Sequence, residues 1–205
     1  MNRDSLMKNV LIIFVKNPEI GKVKSRLAKT IGDKQALSVY KKLLEITKEI
    51  VIDLEFDKCV CYSDWIDRED LWNNDTFRKT LQKGDDLGFR MYIAIKDLSD
   101  SYEKICLIGS DTIELTDEII ERAYALLEDH DIVLGPSFDG GYYLIGMKSP
   151  TKALFEPISW STGAVLAETI DKIGKLKLTY ALLPTLNDID EIEDINDRDR
   201  ESLLS

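Results

Sequence analysis

The sequence predicts an α/β domain built on one mainly parallel sheet. Three observations carry that expectation. Apolar runs of strand length recur at Val10–Val15, Cys59–Tyr62, Ile105–Ile108, Ile132–Leu134 and Tyr142–Met147, and continuous runs of this kind fit strands buried on both faces. Amphipathic stretches with helical spacing lie between most of them, and strands that alternate with helices pair in parallel. The exception is the close pair at 132–134 and 142–147, which lacks room for a crossover helix and so predicts a sheet that becomes mixed in its second half. With 205 residues, 44% of them hydrophobic, and with no linker or internal repeat, the chain reads as one domain, 1–205, with a full core.

Each element has a local reason. Val10–Val15 breaks at Lys16-Asn17-Pro18-Glu19-Ile20-Gly21, a loop by its Pro and Gly, and Lys22–Ala28 begins a helix. Gln35–Asp53 is a long amphipathic helix, with Leu37, Tyr40, Leu44, Ile46 and Ile50 near one face and Asp33 as its cap. After Cys59–Tyr62, the acidic stretch Asp64–Asp75 is an irregular excursion and Phe77–Leu81 a short strand. Gln82–Met91 is a glycine-punctuated loop entering a helix that runs to Leu98. The strand Ile105–Ile108 ends at Gly109-Ser110-Asp111-Thr112. Thr116 then caps a helix whose first turn holds Asp117 and Glu118, where the helix dipole favours acids. Thr162–Ile173 is a helix stopped by Gly174, Leu176–Leu183 a last strand, and Pro184–Asp194 an acidic loop entering a short terminal helix.

The formal net charge of -11 argues against a broad nucleic-acid surface and against attraction to an anionic membrane. That charge is uneven: residues 1–30 carry seven Lys/Arg against two Asp/Glu, which suggests a local anion site. Cys59, Cys61 and Cys106 have no framework spacing and read as free thiols in a reducing compartment. His130 stands alone, so a zinc site is not expected. Met1–Asn9 is polar and Val10–Val15 is too short to span a bilayer, which predicts a cytoplasmic, soluble protein.

Four loops carry groups with chemistry. Lys16, Lys22, Lys24 and Arg26, with Gly21 among them, follow the first strand and lead into a helix N-terminus. That arrangement suits a di- or triphosphate, or else is a solvated basic face. It is not a Walker A loop, because Lys16 and Val23 stand where that motif needs Gly and Ser/Thr. Asp111 ends a middle strand, where a carboxylate can hold Mg²⁺ or Mn²⁺ or can cap the loop. Asp139, in the turn Gly135-Pro136-Ser137-Phe138-Asp139-Gly140-Gly141, sits at a strand end, where such sheets place ligands, or caps its own turn. Asp188-Ile189-Asp190 alternates, so in an extended segment both carboxylates point to one side and could complete a metal site with Asp111, or form an acidic tail.

Taken in order, these stretches resemble the glycosyltransferase-like family DUF2064, within the GT-A, nucleotide-diphospho-sugar transferase superfamily. The matching segments are KNPEIGKVKSRLA (16–28), KGDDLGFRM (83–91), LIGSDTIEL (107–115), LGPSFDGGYYLIGM (134–147), LFEPISWST (154–162) and LPTLNDIDEIED (183–194). Two departures stand out: Ile113 where members usually have Pro, and Glu191-Ile192 where they have Thr-Pro. Neither removes a proposed ligand. The resemblance implies a GT-A-like, Rossmann-like three-layer sandwich and a transferase using a nucleotide-sugar donor, a small-molecule acceptor and Mg²⁺ or Mn²⁺. It implies Asp111, helped by Asp190 and Asp188, as metal ligands, and Lys16, Lys24 and Arg26 on the phosphates. Gly21, Gly88, Arg90, Gly140 and Gly141 would line the donor pocket. Asp139 would bind a sugar hydroxyl or act as base, with Trp160 and Ser161 at the acceptor side or Trp160 in the core. The KSRLA stretch Lys24–Ala28 also resembles 2-phospholactate guanylyltransferases, so nucleotidyl transfer from an NTP with release of pyrophosphate is the alternative. A non-catalytic nucleotide-binding protein is the third.

Overall fold

The computed structural model describes residues 8–204; of the polar opening at Met1–Asn9, residues 1–7 lie outside them. Seven strands form one sheet in the order β3-β2-β1-β4-β6-β5-β7. They are β1 (Asn9–Val15), β2 (Asp57–Tyr62), β3 (Phe77–Leu81), β4 (Lys104–Ile108), β5 (Ile132–Pro136), β6 (Tyr142–Met147) and β7 (Tyr180–Leu182). Among these only β6 is reversed, pairing antiparallel with both β4 and β5. The sheet is therefore parallel in its first half and mixed in its second, as the close pair of apolar runs predicts. The helices are α1 (Ser25–Ile31), α2 (Asp33–Ile52), α3 (Leu87–Lys96), α4 (Asp117–Leu126), α5 (Val165–Lys175) and α6 (Asp197–Leu204). Among the described residues, no helix is long and apolar enough to cross a membrane.

Alternation along the strands builds the layers. On β1, Leu11, Ile13 and Val15 face a core shared with Tyr40 and Leu44 of α2 and with Ala123 and Tyr124 of α4. Val10 and Ile12 face the opposite core, with Met91 and Ile95 of α3 and Ile173 of α5. The result is a three-layer sandwich with helices on both faces. A third cluster joins Leu27 of α1 and Val39 and Leu43 of α2 to Ile189, Ile195 and Leu203. It brings the acidic C-terminal segment back over the start of the chain, which matters for the site.

Helix boundaries depart from the sequence reading in several places. First, α1 starts at Ser25, because Lys24 before it is left-handed at φ 48° and ψ 47°. Second, Gly32 at φ 83° caps α2, so Asp33 lies inside the first turn instead. Third, Gly174 does not stop α5. Lys177 takes the left-handed position at φ 56°, with Leu178 N–H bonded to Ile173 O (3.1 Å) and Lys177 N–H to Gly174 O (3.1 Å). Those two bonds are the Schellman pattern, and Leu178 packs against the second core. The left-handed Lys177 and these bonds, not Gly174, mark the stop. The turn consumes residues 176–178, so the last strand shrinks to Tyr180–Leu182. At its other end α5 begins at Val165, not Thr162.

Six parallel strands, ending at Val15, Tyr62, Leu81, Ile108, Pro136 and Leu182, open on one edge of the sheet, and β6 starts there at Tyr142. Ligands of open α/β sheets bind at that edge.

Candidate active site

The first wall is the loop after β1. Tyr40, from α2, accepts a hydrogen bond from Lys16 N–H (2.8 Å) and donates one to Lys16 O (3.1 Å), clamping that peptide. Burial, with the Asp111 charge nearby, raises the phenol's pKa and keeps it protonated for this purpose. Buried Asn17 ties the same loop to the end of β2: its Oδ1 accepts from Asp64 N–H (3.0 Å) and Trp65 N–H (3.3 Å), and its Nδ2 donates to Trp65 O (2.9 Å). Asn17 was read only as part of its loop and Tyr40 only as part of the helix's apolar face; sequence reasoning missed both as site-builders.

Across the cleft, Asp111 follows β4. Its carbonyl accepts from Ile189 N–H at 2.8 Å, while the Ile189 side chain is buried in the third core. That anchor turns Asp188 and Asp190, on either side of it, into the cleft. Lys24 Nζ contacts Asp111 Oδ1 and lies 3.4 Å from Asp190 Oδ1. The Lys24 side chain is only 4% exposed, against 45% and 44% for the two carboxylates. Burial alone would lower the Lys24 pKa, but the charges of Asp111 and Asp190 outweigh it and hold the ammonium above its ordinary value. Arg26, 56% exposed, reaches Asp190 at 3.6 Å.

The third wall is the β5–β6 turn. Asp139 Oδ1 accepts from Ser137 Oγ (2.6 Å) and from Gly141 N–H (2.8 Å). So Asp139 does cap its turn, yet it is exposed and lines the cleft as well. Burial, then the charges of Asp111 and Asp139, push the Asp188 carboxyl up to about 7.

The cleft divides into two adjoining compartments of about 520 and 530 Å³. The first is lined by Lys24, Arg26, Asp139, Gly141, Trp160, Ser161 and Asp190. The second is lined by Phe14, Ser63, Gln82, Asp85, Arg90 and Gly109. Lys16, Tyr40, Asp111 and Asp188 belong to both.

A profile of the family described as "Uncharacterized protein conserved in bacteria (DUF2064)" matches residues 47–162, more than half of the chain. The chain belongs to the DUF2064 family. A crystal structure of a candidate nucleotide-diphospho-sugar transferase from Desulfovibrio desulfuricans G20 superposes with a TM-score of 0.83 at 30% identity, covering 97% of this chain and 94% of its own. The inositol-1-phosphate CTP transferase from T. maritima shares the fold at a TM-score of 0.60 and 15% identity, covering 97% of this chain and 95% of its own. Glucosyl-3-phosphoglycerate synthase from Mycobacterium tuberculosis, solved with Mn²⁺ and UDP, shares it at 0.54 and 12%, covering 91% of this chain and 72% of its own. No curated protein matches the chain. In this DUF2064 protein, Gly88, Arg90, Asp111 and Asp139 lie within the matched stretch, while the basic loop and Asp188–Asp190 lie outside it. The third core cluster brings those two ends together.

Three of the glycines expected to line the donor pocket do other work. Gly88 lies under Trp160: a Cβ there would fall 2.3–2.6 Å from the indole ring. Trp160 in turn meets Tyr142 edge-on at 6.4 Å and lines the first compartment. Gly140, at φ +86°, presses on Gly163, whose carbonyl oxygen a Cβ would approach to 2.2 Å. Gly21, at φ +76°, forms the exposed turn closed by Lys22 N–H to Glu19 O (3.1 Å), away from the compartments' linings. Gly141 and Arg90 do line the cleft, and Arg90 Nε donates to Gly84 O at 2.9 Å. Gly88→Ala is therefore expected to act through Trp160. Stability should fall by about 1–3 kcal/mol, the usual cost of overpacking, in a urea melt followed by tryptophan fluorescence. An unchanged midpoint with weaker nucleotide binding would return Gly88 to the donor pocket.

The carboxylates fit a hard divalent ion in donor chemistry. Asp111, Asp188 and Asp139 offer carboxylate oxygens, the donor type such ions prefer, and burial, then the charges of Asp111 and Asp139, raises the Asp188 pKa. The described residues do not, however, converge as three ligands around one point. Between Asp111 and Asp190 sits the Lys24 ammonium.

Proposed function

We propose that this DUF2064 protein is a glycosyltransferase that takes a nucleotide-diphosphate sugar and passes the sugar to a small-molecule acceptor with Mg²⁺ or Mn²⁺. The observation that carries this reading is the placement of charge. Lys16, Asp111 and Asp188 stand on the wall shared by the two compartments, with Lys24 and Arg26 beside them. That is the arrangement a bipartite ligand needs when its charged diphosphate lies between two uncharged ends. The likeness to the Desulfovibrio nucleotide-diphospho-sugar transferase candidate supports it.

In this reading the second compartment holds the nucleoside, with Gln82 and Arg90 offering polar edges to the base. Lys16, Lys24 and Arg26 hold the diphosphate, as charge-assisted donors to phosphate oxygens do. Asp111 and Asp188, with Asp190, would hold the metal, which would supply Lewis-acid and electrostatic stabilisation to the diphosphate. Asp139, with Trp160 and Ser161, faces the sugar and acceptor in the first compartment. Its turn-capping bonds use Oδ1 and leave Oδ2 for a hydroxyl.

Thermal shift tests the reading directly: with Mn²⁺ present, one nucleotide sugar should raise the melting temperature and the matching NTP should do little. If the NTP stabilises instead, and pyrophosphate is released on turnover, the chain is a nucleotidyltransferase. Arg26→Ala supplies a second check. Because Arg26 is more than half exposed, nucleotide affinity should fall by about 1.5 kcal/mol, the low end for a hydrogen bond to a charged group. Binding of the bare nucleoside should hardly change, and equal losses for both ligands would make the loop structural.

A further inference from the structure

Lys24 is the anomaly of the cleft. Its basic neighbours Lys16 and Arg26 are exposed, whereas Lys24 is 4% exposed and engaged with two carboxylates. Its backbone is left-handed, and left-handed backbone is costly for a residue with a Cβ. The next residue starts α1, whose Leu27 is fixed in the third core with Ile189. Ile189 N–H in turn holds the Asp111 carbonyl. One packed unit thus sets Lys24, Asp111 and Asp190 against each other.

We propose that Lys24 is a built-in counter-cation: in the free protein its ammonium holds the position between Asp111 and Asp190 that a divalent ion takes when substrate binds. The proposal rests on the metal-dependent reading above. Two like charges cannot share that position, because repulsion at contact distance in a half-buried cleft is worth far more than the ordinary ion-pair gain. The ammonium must leave as the ion enters, and a nearby diphosphate gives it somewhere to go. Free protein would then bind the ion weakly, with the carboxylates kept from repelling each other meanwhile. Nucleotide would strengthen ion binding by drawing Lys24 away, a coupling that is reciprocal by linkage.

The test uses the full chain and Mn²⁺ alone, with free ion counted by electron paramagnetic resonance. Lys24→Met and Lys24→Gln remove the charge and keep a long side chain. Each should bind Mn²⁺ at least about tenfold more tightly than wild type, and adding Asp111→Asn to either should remove the gain. A second arm needs no variant. In wild type, acylation of Lys24 by an amine reagent, read by peptide mass spectrometry, should rise over the Mn²⁺ concentrations that fill the site. If the variants bind Mn²⁺ no better than a wild type that binds it well, or if Lys24 stays protected as the site fills, the counter-cation role is overturned and the metal site stands. If neither wild type nor variants bind Mn²⁺ with or without UDP, GDP or CDP present, the metal-dependent reading falls together with it.

Discussion

Asp111→Asn is expected to leave the fold intact and to abolish metal-dependent nucleotide binding. The structural contact made by this residue is through its backbone, whose carbonyl accepts from Ile189 N–H at 2.8 Å, and Asn keeps that bond. The side chain is 45% exposed and Asp190 still faces Lys24, but that ammonium is only 4% exposed, so losing the charge beside it should cost about 1–3 kcal/mol of stability. The effect on binding should be much larger. An amide is a poor ligand for a hard cation, and removing groups that merely support a metal ligand already costs about 10–100-fold. A direct ligand should cost more, so nucleotide affinity in Mn²⁺ should fall by more than about a hundredfold. Isothermal titration with and without Mn²⁺ reads both quantities. A variant that binds nucleotide and Mn²⁺ like wild type would remove Asp111 from the metal site.

Asp139→Asn should have the second largest effect, and the structure says what to hold constant. Asp139 Oδ1 accepts from Ser137 Oγ and Gly141 N–H, and Asn retains an oxygen there, so the turn should survive. What Asn lacks is the ability to accept a proton. If Asp139 is a general base, kcat should fall by about 10²–10⁴-fold with donor affinity little changed. If it orients a sugar hydroxyl, affinity should fall and kcat should suffer less. If capping is its whole role, the loss should be about 1 kcal/mol of stability with activity in proportion to folded protein. Steady-state kinetics beside a melting curve separates the three, and wild-type turnover would take Asp139 out of the site.

The match between reading and structure follows the range of each interaction. Thr116 was legible as a cap because its hydroxyl bonds Ile119 N–H, three residues on. The strands were legible because burial on both faces writes itself as a continuous apolar run, and the reversed β6 followed from the short connection before it. Asp111, Asp139, Asp188 and Asp190 were singled out as carboxylates in loops, and the structure brings all four to one cleft. Gly88 was assigned to the donor pocket by the family resemblance, and nothing nearby in sequence shows that Trp160, far along the chain, packs against it. Gly174 failed as a stop signal, since the left-handed residue that ends α5 is Lys177, with partly buried Leu178 packed against the second core after it.

What the sequence by itself determined is the set of elements and the chemical inventory: apolar runs of strand length, amphipathic helices, a basic loop and four carboxylates in loops. Tertiary structure alone decided how that inventory is wired. Lys24 and Asp190 are separated by 166 positions and meet at 3.4 Å. They meet because Leu27 and Ile189 bury in one apolar cluster. Tyr40 clamps Lys16 because α2 packs on the face of β1 that Leu11, Ile13 and Val15 present. Such pairings depend on strand order and on which helix covers which face. Those are settled by burying apolar surface across the whole chain, and no local pattern carries them.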